Sequence, residues 1–444
     1  MAELELIDEI VEEIMKAREI TLPKICIKAL FLTYWAYAVN TYDIKYYNRQ
    51  LNRIIRPNVG CLILCEKGTG KSLTVSLLRD LFLTVETERK NRYERIKELK
   101  IGIYERSAIP SAENKKMMED FYATHGRGCV SIHRNVSTAK SLCLTYSQTK
   151  NCNTNNILFN IDEMGGVIED VCSKTPSISG KEFWQSLNEL FDGSCTMGAS
   201  VTSKNESIES QFDVGANFIF TSTAEFLKDY HVQKKYQQSI QAGLARRLFF
   251  INCPPIDLWN ADMRMHSYNI TKFKPMIDEI LSEIPRGKMF SFNNELKEIL
   301  ELPASNPRKG VVIFDEYFIM LYCTVLAVWT GSDFIELRHW EYVLSIFNEI
   351  KALSMDVVKD DTTSYDRICT FMREYLEAKS KKKVPLVMIK DFCVRSKLCF
   401  DSKFKKWFDG LCNDFVSANT SKYIIERNQM YAWLSDNFAF SEGG

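Results

Sequence analysis

The sequence predicts an α/β protein built on a parallel sheet, and three observations carry that expectation. Short β-type runs recur at Cys61–Cys65, Ile101–Glu105, Ile157–Ile161, Phe218–Thr221 and Leu248–Asn252, separated by longer helical or polar stretches. The first run leads straight into Gly68-Thr69-Gly70-Lys71-Ser72 and then an amphipathic segment. The third ends on Asp162-Glu163. At 444 residues the chain has room for about three domains. Its 45% of hydrophobic residues suffices for at least one large core, so general disorder is excluded.

The charges exclude other classes. Fifty-seven Lys and Arg balance 57 Asp and Glu, so attraction to nucleic acid must come from a local patch and not from the whole-molecule field. Fourteen Cys are scattered without a CxxC pair, beside only five His, which argues against a zinc module or a compact disulfide framework. A reducing cytoplasm is expected. The amino terminus MAELELIDEIVEEI is acidic where a signal peptide carries positive charge, so it is not read as a targeting segment. Ala29–Asn40 and Tyr317–Thr330 are too short to span a bilayer, so a soluble protein without a membrane partner is expected.

In chain order, residues 1–56 read as an N-terminal helical region. Leu4, Ile7, Val11 and Ile14 repeat at helical spacing, and a second apolar helix follows around Cys26–Val39. Residues 57–256 carry the β-type runs and form the expected core. Residues 257–361 read as a helical lid subdomain, with Phe318–Val328 and Trp340–Met355 as its amphipathic segments. Residues 362–444 read as helices near Arg367–Ala378, Val387–Val394 and Ser402–Leu411, then two short β-like runs and a last helix. That order suggests a winged helix.

The run LILCEKGTGKSLTVSLLRDLF is a P-loop pattern. Glycines let backbone N–H groups turn inward around phosphates, and a following helix N-terminus adds its dipole. The expected nucleotide contacts are Cys65, Glu66, Lys67, Gly68, Thr69, Gly70, Lys71, Ser72 and Leu73. Lys71 would reach the β- and γ-phosphates and Ser72 would ligate Mg²⁺. Cys65 stands where the usual pattern has its first glycine.

A Walker B pattern follows about ninety residues on, where Ile157–Ile161 would deliver Asp162 to the Mg²⁺ shell and Glu163 to the attacking water. An Asp-Glu pair favours ATP hydrolysis over passive binding. The strand Asn217–Phe220 ends in Thr221-Ser222-Thr223, which would fall beside the γ-phosphate as a sensor. Thr221 and Ser222 are the candidates, and a plain Thr/Ser turn explains them equally well. Arg246 and Arg247 precede the last strand, where one could serve as an arginine finger for a neighbouring subunit or form a salt bridge on the sheet rim.

Between Lys379 and Lys406 ten Lys/Arg face two Asp/Glu, a basic patch in a neutral chain. Lys381, Lys382 and Lys383 precede the first helix of the helix-turn-helix, and Lys403, Lys405 and Lys406 open the proposed recognition helix, where phosphates are reached. The competing reading is a solubilising or protein-docking face.

Taken together, RPNVGCLILCEKGTGKS, ILFNIDEMGG, LFDG at Leu190–Gly193, NFIFTSTAEF and GLARRLFF resemble the P-loop ATPases that accompany primases and primase-polymerases in phage and plasmid replication modules. Their core is close to superfamily 3 helicases and the AAA+ class. The resemblance spans roughly Leu22–Val357. It implies an AAA+-like ATPase using ATP and Mg²⁺, a ring, with a hexamer expected, and a setting in a bacterium or a virus-infected host. It also implies single-stranded or forked DNA as partner, with a primase or polymerase alongside, and it assigns the Walker A, Walker B and finger roles to the residues named above. In related helicases the segment Ser194–Gly215 holds a DNA-contacting hairpin, which makes Lys204 a candidate, although a solvated loop is the default. The expected function is a replicative helicase. The alternative is an ATP-switched initiator or helicase loader that grips duplex DNA without unwinding it.

Overall fold

The computed structural model describes residues 2–17, 19–48, 52–106, 111–152, 156–173, 176–196, 209–225, 232, 236, 248–253, 267–303, 306, 309, 313–359, 371 and 386–395. The chain divides into two compact units, Met1–Ala224 with Tyr236–Ser354, and Glu225–Lys235 with Met355–Gly444.

The first unit opens with α1 (Ala2–Met15), which buries Leu4, Ile7, Val11 and Ile14 at helical spacing. α2 (Lys24–Thr41) is apolar all round, and every residue from Ala29 to Thr41 is buried. Such a helix belongs inside a protein. It packs against the central sheet. The helical reading of residues 1–56 then needs a correction, because β1 (Lys45–Asn48) and β2 (Arg53–Ile55) form an antiparallel pair. Burial alternates along β1 with the period of two that a strand imposes.

The central sheet begins with β3 (Gly60–Leu64), buried at every residue, and α3 (Lys71–Leu81) follows it. Next come α4 (Leu83–Glu105), α5 (Ala112–His125), β4 (Ile132–His133) and α6 (Ala139–Asn151). Ile101–Glu105, expected as a strand, is the last turn of α4. Five residues of β-type composition lose to a helix register in which Val85, Arg89, Tyr93 and Ile101 share one buried face, with Tyr93 and Ile101 packed on Phe121 of α5. The sheet position falls instead to β4, two residues long and polar in context.

β5 (Asn156–Ile161), α7 (Gly165–Cys172), α8 (Ile178–Phe191), the short antiparallel pair β6 (Ser194–Cys195) and β7 (Gln211–Phe212), β8 (Gly215–Ser222) and β9 (Phe249–Asn252) complete the α/β part. The sheet order is β4-β5-β8-β3-β9, parallel throughout. Adjacent β8 residues face opposite ways: Asn217 bonds Asn40 of α2 at 2.9 Å, while the Phe218 ring lies 4.2 Å from that of Phe191 on α8. Helices therefore cover both faces, as a parallel sheet requires.

Beyond the sheet lie a 3₁₀ turn (Ile270–Phe273), α9 (Lys274–Glu283), β10 (Met289–Phe290), α10 (Asn294–Leu300), α11 (Ile313–Trp329) and α12 (Leu337–Lys359). β10 adds to β1 in parallel. α11 is not amphipathic: Phe318–Trp329 is buried at every residue. It is clamped to α2 and to the sheet, with the Trp35 indole N–H donating to the Val325 carbonyl at 2.9 Å and the Tyr322 hydroxyl to the Gly60 carbonyl at 3.0 Å. α12 has the expected one-sided face of Trp340, Val343, Ile346 and Ile350. In the second unit, α13 (Leu386–Arg395) coincides with the helix expected near Val387–Val394. No helix among the described residues is long and apolar enough to cross a membrane.

One buried carboxylate ties α1 to the 3₁₀ turn. Glu13 accepts from Lys16 Nζ at 2.8 Å, Lys272 Nζ at 2.7 Å and the Asn269 N–H at 2.7 Å. The lysine bonds, Lys16 first and then Lys272, with the Asn269 amide, outweigh burial and lower its pKa from 4.5 to about 2. A depressed carboxylate stabilises above its unfolded pKa, and that stability fades as pH falls from 4.5 towards 2. Glu13→Gln is expected to cost about 2 kcal/mol at neutral pH. Its deficit against wild type in thermal melts should shrink across that acid window, and a constant deficit would refute the assignment.

Candidate nucleotide site

The chain leaves β3 for the edge strand β4, returns through β5 and β8, then crosses β3 to reach β9. β3 thus sits where connections diverge, and in open parallel sheets the crevice beyond the strand carboxyl ends at such a point is the usual ligand position. Residues 65–70 occupy it. Gly68 and Gly70 both take φ of 82°, and Cys65 is not among the positive-φ residues. A side chain at position 65 is therefore compatible with the backbone, which answers the departure from glycine. Its sulfur lies 3.1 Å from Thr69 Oγ1, under the loop.

α3 begins at Lys71 with Gly70 as an N-cap that offers no side-chain bond. Its first N–H groups have no intrahelical acceptor and suit an anion. Lys71 is folded back over the loop, its ammonium donating to the Cys65 carbonyl at 3.1 Å and the Glu66 carbonyl at 3.0 Å. Glu66 and Lys67 are exposed, whereas Leu73 packs against the core.

Asp162 gathers the neighbouring elements. Ser72 Oγ donates to its Oδ2 at 3.2 Å, while Thr221 Oγ1 at 2.5 Å and the Glu163 N–H at 3.1 Å donate to its Oδ1. Residues 71–72, 162–163 and 221, ninety and more positions apart in places, thus meet at one end of the sheet. Thr221 and Ser222 have different roles, because the Ser222 hydroxyl accepts from the Gly165 N–H at 3.0 Å and so holds the turn that follows Glu163. Glu163 is exposed at φ of 56°, a left-handed conformation that costs a non-glycine residue about 1 kcal/mol.

For a divalent cation the fit is chemical. Ser72 and Asp162 present hard oxygen donors within one hydrogen bond of each other, both exposed, which suits Mg²⁺ with water and phosphate completing the shell. Among the described residues no group of three or more His, Cys, Asp or Glu side chains is arranged to hold a metal by itself.

Sequence reasoning missed the segment that backs the loop. The Thr21 N–H donates to the Thr69 carbonyl at 3.1 Å, and a Cβ built on Gly70 would lie 2.4 Å from the Glu19 carbonyl oxygen and 2.8 Å from Ile20 Cα. Only the three-dimensional approach reveals it; no local pattern marks residues 19–21. At Gly68 no atom lies within 4 Å of such a Cβ. Gly68→Ala is therefore expected to cost about 1 kcal/mol of backbone strain. Gly70→Ala should cost about 2 kcal/mol more from overpacking against main chain that cannot yield, and equal melting temperatures for the two variants would refute this.

Arg246, Arg247, Lys204, Lys381, Lys382, Lys383, Lys403, Lys405 and Lys406 lie outside the described residues. No protein-family model matches the chain, and no curated protein does.

Proposed function

We propose that the chain is a P-loop, AAA+-like ATPase that hydrolyses Mg-ATP and works as a DNA-dependent ring motor, a replicative helicase of a phage or plasmid. The observation that carries the nucleotide part is the convergence of Ser72 and Thr221 on the Asp162 carboxylate, next to a glycine loop that opens onto an uncapped helix. The motor, the ring and the DNA partner rest on the resemblance of the ordered motifs.

In the proposed site the N–H groups of residues 68–72 receive the phosphates, and Lys71 exchanges its two loop carbonyls for phosphate oxygens. Mg²⁺, when bound, neutralises charge on the β- and γ-phosphates, and Ser72 and Asp162 are the residues that would hold it. Thr221 keeps Asp162 oriented while its carboxylate is otherwise solvent-exposed. Glu163, released by its backbone twist to face solvent, accepts a proton from the attacking water. Arg246 or Arg247 of a neighbouring subunit would complete charge stabilisation. The helices after β9 would act as the lid, and the basic tail as a winged helix on DNA.

Lys71→Ala tests the reading at its base. It is expected to weaken Mg-ATP binding at least about tenfold by removing a charge-assisted contact, as measured by titration with a fluorescent ATP analogue. Unchanged affinity would sink the proposal.

The composition of the insert supports a second reading. Ser194–Gly215 contains a single lysine, Lys204, and one aromatic, Phe212, poor equipment for tracking single strands. By contrast, the tail between Lys379 and Lys406 is strongly basic. An ATP-switched initiator or loader gripping duplex DNA accounts for that contrast, and a forked-substrate assay separates it from the helicase.

A further inference from the structure

Three cysteines from three elements meet behind the loop. Cys26 is in the first turn of α2, Cys65 follows β3 and Cys253 follows β9. The sulfurs of Cys26 and Cys253 are 3.3 Å apart. The Cys65 thiol donates to Cys253, and that bond first and then burial hold it well above its ordinary pKa, so the three form a chain of thiols from helix to loop. Cys26 and Cys65 are buried, and Cys253 is half-buried, the one an external reagent can reach. The cluster is not arranged as a metal site. A disulfide has its sulfurs at about 2.05 Å, so the Cys26–Cys253 pair needs a closure of only about 1 Å to bond.

We propose that Cys26 and Cys253 are an oxidative modification site: a hydroperoxide converts them to a disulfide, which loosens the root of the phosphate-binding loop. The bond itself does not depend on the nucleotide reading, whereas its consequence rests on that reading. In the first step Cys253 sulfur attacks a peroxide oxygen, the O–O bond breaks, and the thiol proton leaves with the departing hydroxide as water. Cys26 sulfur then attacks the resulting sulfenic acid at sulfur, the S–O bond breaks, and the Cys26 proton leaves with hydroxide as a second water. Two thiols lose two electrons and one peroxide gains them.

The consequence follows from what Cys253 holds. Its N–H donates to the Leu64 carbonyl at 2.8 Å, and the Cys65 N–H donates to the Ser222 carbonyl at 3.1 Å, so the loop root is tied to the strands on both sides. Drawing the Cys253 sulfur towards Cys26 removes it from Cys65, the residue at which the loop leaves β3, and so frees the backbone that presents the loop N–H groups to phosphate. The hydrogen bond with Cys26 and burial push the Cys253 thiol well above its ordinary pKa, so little of it is thiolate and its oxidation is slow.

A second pair supplies the control. Cys143 on α6 and Cys195 on β6 have their sulfurs 3.2 Å apart, both buried. Full-length protein would be treated with hydrogen peroxide, alkylated and mapped by peptide mass spectrometry, with affinity for a fluorescent ATP analogue in magnesium measured before oxidation, after it and after dithiothreitol. The expected result is a Cys26–Cys253 linked peptide and about tenfold weaker binding, the scale of one lost hydrogen bond at the loop root, restored by dithiothreitol. Cys253→Ala and Cys26→Ser should each abolish both effects, and Cys143→Ala neither. A folded wild type that yields no Cys26–Cys253 peptide, or a Cys65–Cys253 link in its place, overturns the site. A linked protein with unchanged affinity overturns the consequence. Failure of the reduced protein to bind nucleotide overturns the nucleotide reading and the consequence with it, while mapping still decides the bond.

Discussion

Glu163→Gln is expected to keep Mg-ATP bound and to slow its hydrolysis by about a thousandfold, within the usual range for losing a positioned general base. The substitution preserves shape and removes the proton acceptor. It leaves untouched the Ser72, Thr221 and Glu163 N–H bonds to Asp162, since the last is a backbone bond. Binding and chemistry should therefore separate, with nucleotide affinity near wild type and turnover lost. Single-turnover hydrolysis alongside equilibrium titration reads both. Hydrolysis within a few fold of wild type would show that another group activates the water. The same variant on a forked DNA substrate distinguishes the two functional readings, because a helicase must lose unwinding with turnover, whereas an initiator or loader opens no fork in either form.

The conformation at this position adds a second expectation to the same experiment. Glu163 is held at φ of 56°, and strain that persists at one residue is retained where the surrounding structure fixes it, here by the Met164 N–H on the Thr221 carbonyl and the Gly165 N–H on Ser222. Glutamine inherits that strain, so Glu163→Gln should melt with wild type. A glycine there would relieve about 1 kcal/mol while losing the same chemistry, and a gain in stability at the expense of turnover is the mark of a site built for function.

What could be read from the sequence followed from locality. β3, β5, β8 and β9 announce themselves because each carries a mostly apolar, largely buried run, as strands of a parallel sheet covered on both faces do. β4 does not: two residues, flanked by Ser131 and Arg134, carry too little pattern, and the more β-like Ile101–Glu105 was drawn into α4 by packing on a helix that follows it. The glycine loop and Asp162-Glu163 were legible as positions because each directly follows an apolar strand, and the structure places them at the ends of β3 and β5. The division between Thr221 and Ser222 was half legible, since neighbours in a strand face opposite ways and only one could serve Asp162; which one depends on sheet orientation. Residues 19–21 behind Gly70, and Cys26 beside Cys253, meet only through the closure of the fold. No spacing rule reaches across 227 positions.

Asn58→Ala is expected to be among the most damaging single substitutions for stability, by about 4 kcal/mol, because several buried partners lose their bonds at once. Asn58 Nδ2 donates to the Leu190 carbonyl at 2.8 Å and the Val214 carbonyl at 3.0 Å, and its Oδ1 accepts from the Ala216 N–H at 2.9 Å and from Asn40 at 3.3 Å. It is 1% exposed. Asn40 in turn donates to Asn217 at 2.9 Å, and Asn217 donates to the Pro57 carbonyl at 3.2 Å and the Val59 carbonyl at 3.3 Å. These asparagines pin the amino ends of β3 and β8, where water cannot replace a missing partner. For a unit of this size the loss corresponds to a melting temperature lower by roughly 6 °C. Asn58→Asp should be at least as harmful at neutral pH, since a carboxylate would face two carbonyl oxygens without the donors that asparagine supplies. A shift under about 2 °C for the alanine variant would mean that the network relaxes and stores little of the fold's stability. Because the pinned ends lie opposite the carboxyl ends that carry Lys71, Asp162 and Thr221, Asn58→Ala below its melting temperature should leave nucleotide affinity unchanged. The two ends of the same strands would thereby divide the work, one fixing where the strands run and the other presenting the groups of the proposed nucleotide site.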